Sequence, residues 1–158
     1  MPATVTARDG GFNVNGGAGY LPRSATEFGT ADGLRRATLL PAADGARSEI
    51  LIVRSTGDST RLVPVAAADT TAAARAEIAG TYASEEAEST VSIRSRNGAL
   101  ELGMAGDRTM RLQPAYAGAW MAPDDGWLFV VDRDAAGRIR GMRAWTTRSR
   151  GIRFDRLP

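Results

Sequence analysis

Any chemistry carried by this chain has to come from hydroxyls, carboxylates, tyrosines and arginines. Its 158 residues contain no His and no Cys, and each of the 20 basic side chains is Arg. Without imidazole there is no side-chain base that titrates near neutrality, and without thiol or amine there is no thiolate, no Ser-Lys pair and no Schiff base. Zinc and similar borderline metals lose their usual ligands too. Arginine stays protonated at any working pH, so it orients anions rather than moving protons. The composition therefore predicts no catalytic residue, no cofactor-binding residue and no metal ligand.

A few clusters still carry chemical potential. Glu85-Glu86-Ala87-Glu88 offers carboxylates to a hard cation but lacks the ligand spacing of a calcium loop, and reads as a solvated turn. Arg143 and Trp145 stand two apart, on one face of a strand, where they either line a shared pocket or pack and pair at the surface. Trp120 and Trp127 flank Asp124-Asp125-Gly126, as a stacking platform for a sugar or peptide or as core filling at the mouth of a barrel. The glycine-rich stretches Gly10-Gly11 and Gly16-Gly17-Ala18-Gly19 are not followed by a helix, so they lack the helix N-terminus a phosphate cradle requires.

Charge is nearly balanced at +2 but unevenly spread. Residues 133–158 hold eight Arg against Asp134 and Asp155, a net +6, whereas residues 66–92 hold Arg75 against five acids, a net −4. The basic end reads as strand faces whose arginines pair with nearby acids rather than as a nucleic-acid surface, because aromatic interleaving is sparse. Met1-Pro2-Ala3-Thr4-Val5-Thr6 lacks the charged leader and apolar run of a signal peptide, and no stretch reaches the length of a membrane span, so the expectation is a soluble chain.

The elements that position these residues follow one β-rich pattern written twice. Phe28 and Trp120 stand 92 positions apart, and the same offset superposes Pro22 on Pro114, Asp32 on Asp124, Gly45 on Gly137 and Arg61 on Arg153. Identities at that offset are few; the repeated order of apolar strand, Asp/Gly turn, apolar strand, Gly turn and Arg-apolar strand carries the reading. In the second half, strands are predicted around Tyr82 and over Thr90–Arg96, Ala99–Gly103, Met110–Pro114, Ala119–Ala122, Trp127–Arg133, Ile139–Thr146 and Gly151–Leu157. Asn97-Gly98 supplies the positive φ angles of a type I′ hairpin turn. Eight such strands commonly close into an up-and-down barrel, either filled by its own side chains or roomy enough for one small apolar ligand. One short helix is expected at Asp69–Ala79, capped by Asp69 or Thr70 and ended by a left-handed Gly80.

The run Ile78-Ala-Gly80-Thr-Tyr82-Ala-Ser84-Glu-Glu-Ala, with Asn97-Gly98-Ala-Leu100, Leu112-Gln-Pro114, Asp134-Ala-Ala-Gly137-Arg-Ile139 and Ser149-Arg150-Gly151-Ile152-Arg153-Phe154, resembles the C-terminal lipocalin-like β-barrel of β-lactamase-related, penicillin-binding-protein-like serine hydrolases of the D-aminopeptidase type. The resemblance covers about residues 78–158, and residues 1–65 look like a preceding, more divergent barrel. It implies an accessory module that shields or gates an active site or mediates oligomerisation. It also implies a partner in the form of a serine-hydrolase catalytic domain, in cis or in trans, and a periplasmic or secreted parent protein. The family's Ser-x-x-Lys domain is missing. Tyr82-Ala83-Ser84 spells its Tyr-x-Ser motif, but no Lys exists to activate a serine, and its place after Gly80 reads as a first strand.

The expected fold is all-β: two tandem antiparallel up-and-down lipocalin-like barrels joined by one short helix, with an incomplete barrel at 1–65, linker and helix at 66–79 and an eight-stranded barrel at 80–158. Thr4-Val5-Thr6 matches Thr90-Val91-Ser92, which leaves nothing in the first unit to match the strand around Tyr82. The first barrel is therefore expected to lack a strand and to be open, or covered by the helix or a partner, and the chain to have once been longer. With only Phe12, Tyr20 and Phe28 as aromatics, its core is expected to be the weaker. The function expected is that of a non-catalytic accessory region. The alternatives are a stand-alone small-molecule carrier using the barrel lumen, and a hydrolase fragment acting with an upstream catalytic domain.

Overall fold

Alternating apolar residues bounded by Asp, Asn and Gly turns give fifteen strands and one α-helix in a computed structural model that describes residues 2–42 and 47–158. The chain divides into two compact units, Pro2–Val65 and Ala66–Pro158.

The first unit is a seven-stranded antiparallel meander: β1 Val5–Arg8, β2 Gly11–Val14, β3 Gly19–Pro22, β4 Glu27–Gly29, β5 Arg35–Leu40, β6 Glu49–Arg54 and β7 Ser59–Leu62. Each strand pairs with its neighbours in sequence, and β1 and β7 form the two edges. Asp9-Gly10 joins β1 to β2 with φ angles of 49° and 76°, the pair of positive values a type I′ turn demands. The core gathers Phe12, Tyr20, Phe28, Ala37, Ile50 and Ile52 on one face. Phe12 stacks on Tyr20, with ring centroids 4.9 Å apart, and meets Phe28 at 5.1 Å.

The second unit begins with α1, Ala72–Ile78, and continues as β8 Gly80–Ser84, β9 Ser89–Arg96, β10 Ala99–Gly103, β11 Thr109–Tyr116, β12 Ala119–Ala122, β13 Trp127–Arg133, β14 Ile139–Trp145 and β15 Ile152–Arg156. A turn of 3-10 helix, Pro123–Asp125, links β12 to β13. Strands β8 to β15 run in order around a closed barrel, with β15 returning to β8. All eight expected strands are present, with ends that differ by a residue or two. Asn97-Gly98 turns β9 into β10 with φ of 50° and 75°. Curvature comes from bulges in the β11–β12 and β13–β14 pairings. It also needs Gly141, where a Cβ would collide with the carbonyl of Phe154 on β15.

The two units share a pairing register. Pro22 faces Phe28, Phe28 faces Ala37, Ala37 faces Ile52 and Ile52 faces Thr60. Adding 92 to each number reproduces the pairs of the second unit: Pro114 with Trp120, Trp120 with Phe129, Phe129 with Ala144 and Ala144 with Ile152. Gly45, the expected partner of Gly137, lies outside the described residues. The N-terminal match is corrected by two residues: Val5 pairs with Val14 as Ile93 pairs with Leu102, so Val5 corresponds to Ile93 and not to Val91. The type I′ turns set this, because a hairpin's register is counted from its turn.

The helix also differs from expectation. Thr71, not Asp69 or Thr70, is the N-cap, its Oγ accepting from the backbone N–H of Ala74 at 3.2 Å. Asp69 sits two residues earlier and accepts from the N–H of Thr71. At the other end Ala79 is extended, with φ −60° and ψ 136°, and Gly80 opens β8 rather than closing the helix. Ile78 is buried within the barrel's own core, so α1 folds with the second unit rather than serving as a spacer.

Candidate functional site

The barrel interior is the first place to look for a ligand, and side chains fill it. Because successive residues of a strand face opposite ways, Val91, Ile93, Leu100, Leu102, Met110, Leu112, Trp120, Phe129, Met142, Ala144 and Phe154 converge on one axis with Tyr82 and Ile78. Tyr82, Leu102 and Met142 have no exposed surface. The residues of the Tyr-x-Ser spelling are absorbed by this packing. Tyr82 Oη donates to the carbonyl of Ile78 at 2.7 Å, and burial pushes the phenol above its ordinary pKa. Ser84 Oγ accepts from the N–H of Ala87 at 3.1 Å, which fixes the β8–β9 turn. One side chain therefore ends on a helix carbonyl and the other on a turn amide, and neither reaches a group that could activate it.

Around Tyr82 the barrel holds the end of α1. A helix leaves its last carbonyls without partners, and a seven-residue helix has few other contacts to hold it. Here side chains supply the donors. Arg156 Nη1 donates to the carbonyl of Glu77 at 3.0 Å and Nη2 to that of Ala79 at 2.7 Å, while the guanidinium lies 5.9 Å from the centre of the Tyr82 ring. Arg133 grips the Glu77 carboxylate with both terminal nitrogens and also donates to the carbonyl of Gly137 at 2.6 Å. That double contact holds the Glu77 carboxyl below its ordinary pKa. The arrangement is a clamp made of β8, β13 and β15, and no feature of the local helix sequence announces it.

A concave site sits in the first unit. Arg36 and Thr38 flank the buried Ala37 on β5, so they point away from the aromatic core. With Arg23, Glu27, Leu34 and Arg54 they surround a groove of about 580 Å³. On this face Arg23 and Arg36 against Glu27 suit a carboxylate or phosphate, which arginine grips in two places at once. The exposed Leu34 and Val53 give the groove an apolar wall. Sequence reasoning missed it because Arg23 and Arg36 lie 13 positions apart and come together only through strand pairing, in which the N–H of Arg23 bonds the carbonyl of Glu27 and Gly29 faces Arg36.

The remaining flagged residues have structural surroundings. Trp120 is buried in the barrel core and Trp127 stacks on Phe129 at 5.7 Å, so the two do not form an open platform. Arg143 pairs with Asp132 at 3.1 Å. Glu85–Glu88 is the β8–β9 turn, closed by the N–H of Glu88 on the carbonyl of Glu85. Among the described residues there is no group of His, Cys, Asp and Glu fit to hold a metal ion. Four arginines of the basic end bond acids: Arg133 to Glu77, Arg138 to Asp134, Arg143 to Asp132 and Arg153 to Asp155. No helix among the described residues is long and apolar enough to cross a membrane.

No protein-family model matches the chain. Part of it is similar to the D-aminopeptidases of Brucella ovis, Brucella canis and Brucella melitensis, with 36% identity over 99 residues. The match takes in 53% of this chain and 19% of each relative. The chain therefore spans about a fifth of the length of the curated D-aminopeptidases it matches.

Proposed function

We propose that this chain is a non-catalytic accessory region of a serine-hydrolase-like protein, built from two tandem copies of a lipocalin-like, up-and-down β design. The partial likeness to D-aminopeptidases carries the reading, since it falls on a chain without His, Cys or Lys. The shared offset of 92 in the pairing supports duplication. A barrel filled by Tyr82, Phe129 and Met142 supports a scaffold rather than a carrier, because a carrier keeps its lumen open. Its role is to shape or shield the approach to an active site on a catalytic domain, joined in cis or in trans.

The test is an exchange. Deleting the matching stretch from the Brucella melitensis enzyme should lower hydrolysis of a D-aminoacyl anilide, and inserting the aligned residues of this chain should restore most of it. A folded chimera as inactive as the deletion refutes the accessory role, and so does hydrolysis by the isolated chain. The arginine groove favours a second reading, a stand-alone binder of small anionic molecules. Titrating the purified chain with small carboxylates, and following the Arg23 and Arg36 side-chain signals by NMR, checks it.

A further inference from the structure

The shared register shows what the first unit is missing. In the barrel, β8 lies between β9 and β15 and pairs antiparallel with both. Their counterparts by register are β1 and β7: Val5 takes the place of Ile93, and Leu62 that of Phe154. No strand among the described residues pairs with the outer side of β1 or of β7, which are the edges of the sheet.

The side chains record the vacancy. Ile93, opposite Gly80 of β8, is 1% exposed, whereas its counterpart Val5 is 43% exposed. Phe154 is buried and Leu62 only partly so. Inward residues next to the edges follow the same trend, with Ile50 more exposed than its counterpart Met142 and Phe12 more than Leu100. The first core also lacks any residue in the place of Tyr82, the largest fully buried side chain of the barrel. Edge strands present unpaired N–H and C=O groups, and proteins usually blunt them with proline, bulges or inward-pointing charge. Val5-Thr6-Ala7-Arg8 has no proline and no bulge, and its one charge pairs with Asp9.

We propose that the space between β1 and β7 is a strand-acceptor site, filled by an extended segment of a partner polypeptide. The strand runs antiparallel to both edges, as β8 does, so the main chain supplies the bonding. Its side-chain chemistry is that of β8: an aromatic residue pointing into the core, with small residues two positions away on either side, as Gly80 and Ser84 flank Tyr82. The proposal stands apart from the accessory-region reading, because it rests on register and exposure alone.

The test uses the full chain. A covalent stand-in for the partner places Ile-Ala-Gly-Thr-Tyr-Ala-Ser and a four-residue turn ahead of Met1, so that its Gly falls opposite Val5 as Gly80 falls opposite Ile93. A control carries Arg in place of its Tyr. The same segment is also added as a free peptide. The tethered strand should slow amide exchange in β1 and β7 by about tenfold or more, and raise the unfolding midpoint of the first unit by about 4 °C or more. The Arg control should do neither, and the free peptide should protect the same amides in a saturable way. Unchanged exchange and midpoint in the tethered chain overturn the proposal, whatever the free peptide does. So does a dimer of the unmodified chain whose β1 and β7 amides are already protected, because a second copy then occupies the edges.

Discussion

Replacing Tyr82 by Phe removes one oxygen from the middle of the second unit and leaves the ring in place. The lost hydroxyl donates to the carbonyl of Ile78 at 2.7 Å, and both residues are buried. An acceptor left without a partner in such a place costs about 1–3 kcal/mol. Arg156 still holds the neighbouring carbonyls of Glu77 and Ala79, so the loss should fall near the middle of that range, about 1.5 kcal/mol. For a unit of this size that is a drop in midpoint of roughly 6–12 °C. Replacing Tyr82 by Ala instead creates a cavity and should cost about 3–5 kcal/mol. The assay is urea unfolding followed by tryptophan fluorescence. Trp120, Trp127 and Trp145 all belong to the second unit and the first has none, so the signal reports the barrel alone. Arg156→Ala and the double variant complete a cycle, in which an interaction energy above about 0.5 kcal/mol marks one shared clamp. A Tyr82→Phe variant within about 0.3 kcal/mol of the parent refutes the claim that side chains of the barrel hold the end of α1.

Three further outcomes follow from the same structure. Gly98→Val forces a β-branched residue into φ 75° in the β9–β10 turn and should destabilise the barrel by about 1–3 kcal/mol, measured by the same urea titration. Phe129→Ala should cost about 3–5 kcal/mol, and a loss under about 1 kcal/mol would mean the barrel interior is not packed as described. Glu77 carries the pH dependence of the clamp. Its folded pKa lies below the unfolded value because Arg133 bonds the charged form, so its contribution is present above the unfolded value and is lost as pH falls through the folded one. The stability gap between the parent chain and Glu77→Gln should therefore be open at pH 7 and close under acid. It should stay within about 1 kcal/mol, since both partners are half exposed. A gap that widens under acid would show that the sign is wrong.

How much of this was legible beforehand depends on the range of the interaction involved. Strands separated by Asn97-Gly98 or Asp134-Ala-Ala-Gly137 announce themselves, because turn geometry and alternation act over a few residues. The order of the barrel followed from them. That the first unit has no counterpart of the strand around Tyr82 could be read too, by setting one half of the chain against the other. The end of α1 could not: its local cue was Gly80, but the donors that satisfy its carbonyls come from Arg156, 77 positions beyond Ala79, and from a Tyr that looked like a motif. The groove at Arg23 and Arg36 was hidden for a similar reason, as only the pairing of neighbouring strands brings these arginines together. The offset of 92 held from Pro22 onward but slipped at Val5, because the first hairpin counts from its own turn.

The seam where the barrel closes is narrow. Strands β15 and β8 meet through Asp155 with Ala83 and Arg156 with Tyr82, followed by the N–H of Leu157 on the carbonyl of Thr81, whereas β13 and β14 are matched over six residue pairs. Under tension applied through Pro158, the load meets this short seam first. Arg156 would let go of the helix carbonyls and of Tyr82 together, so the barrel is built to fail mechanically as a zip that starts at its C-terminal strand.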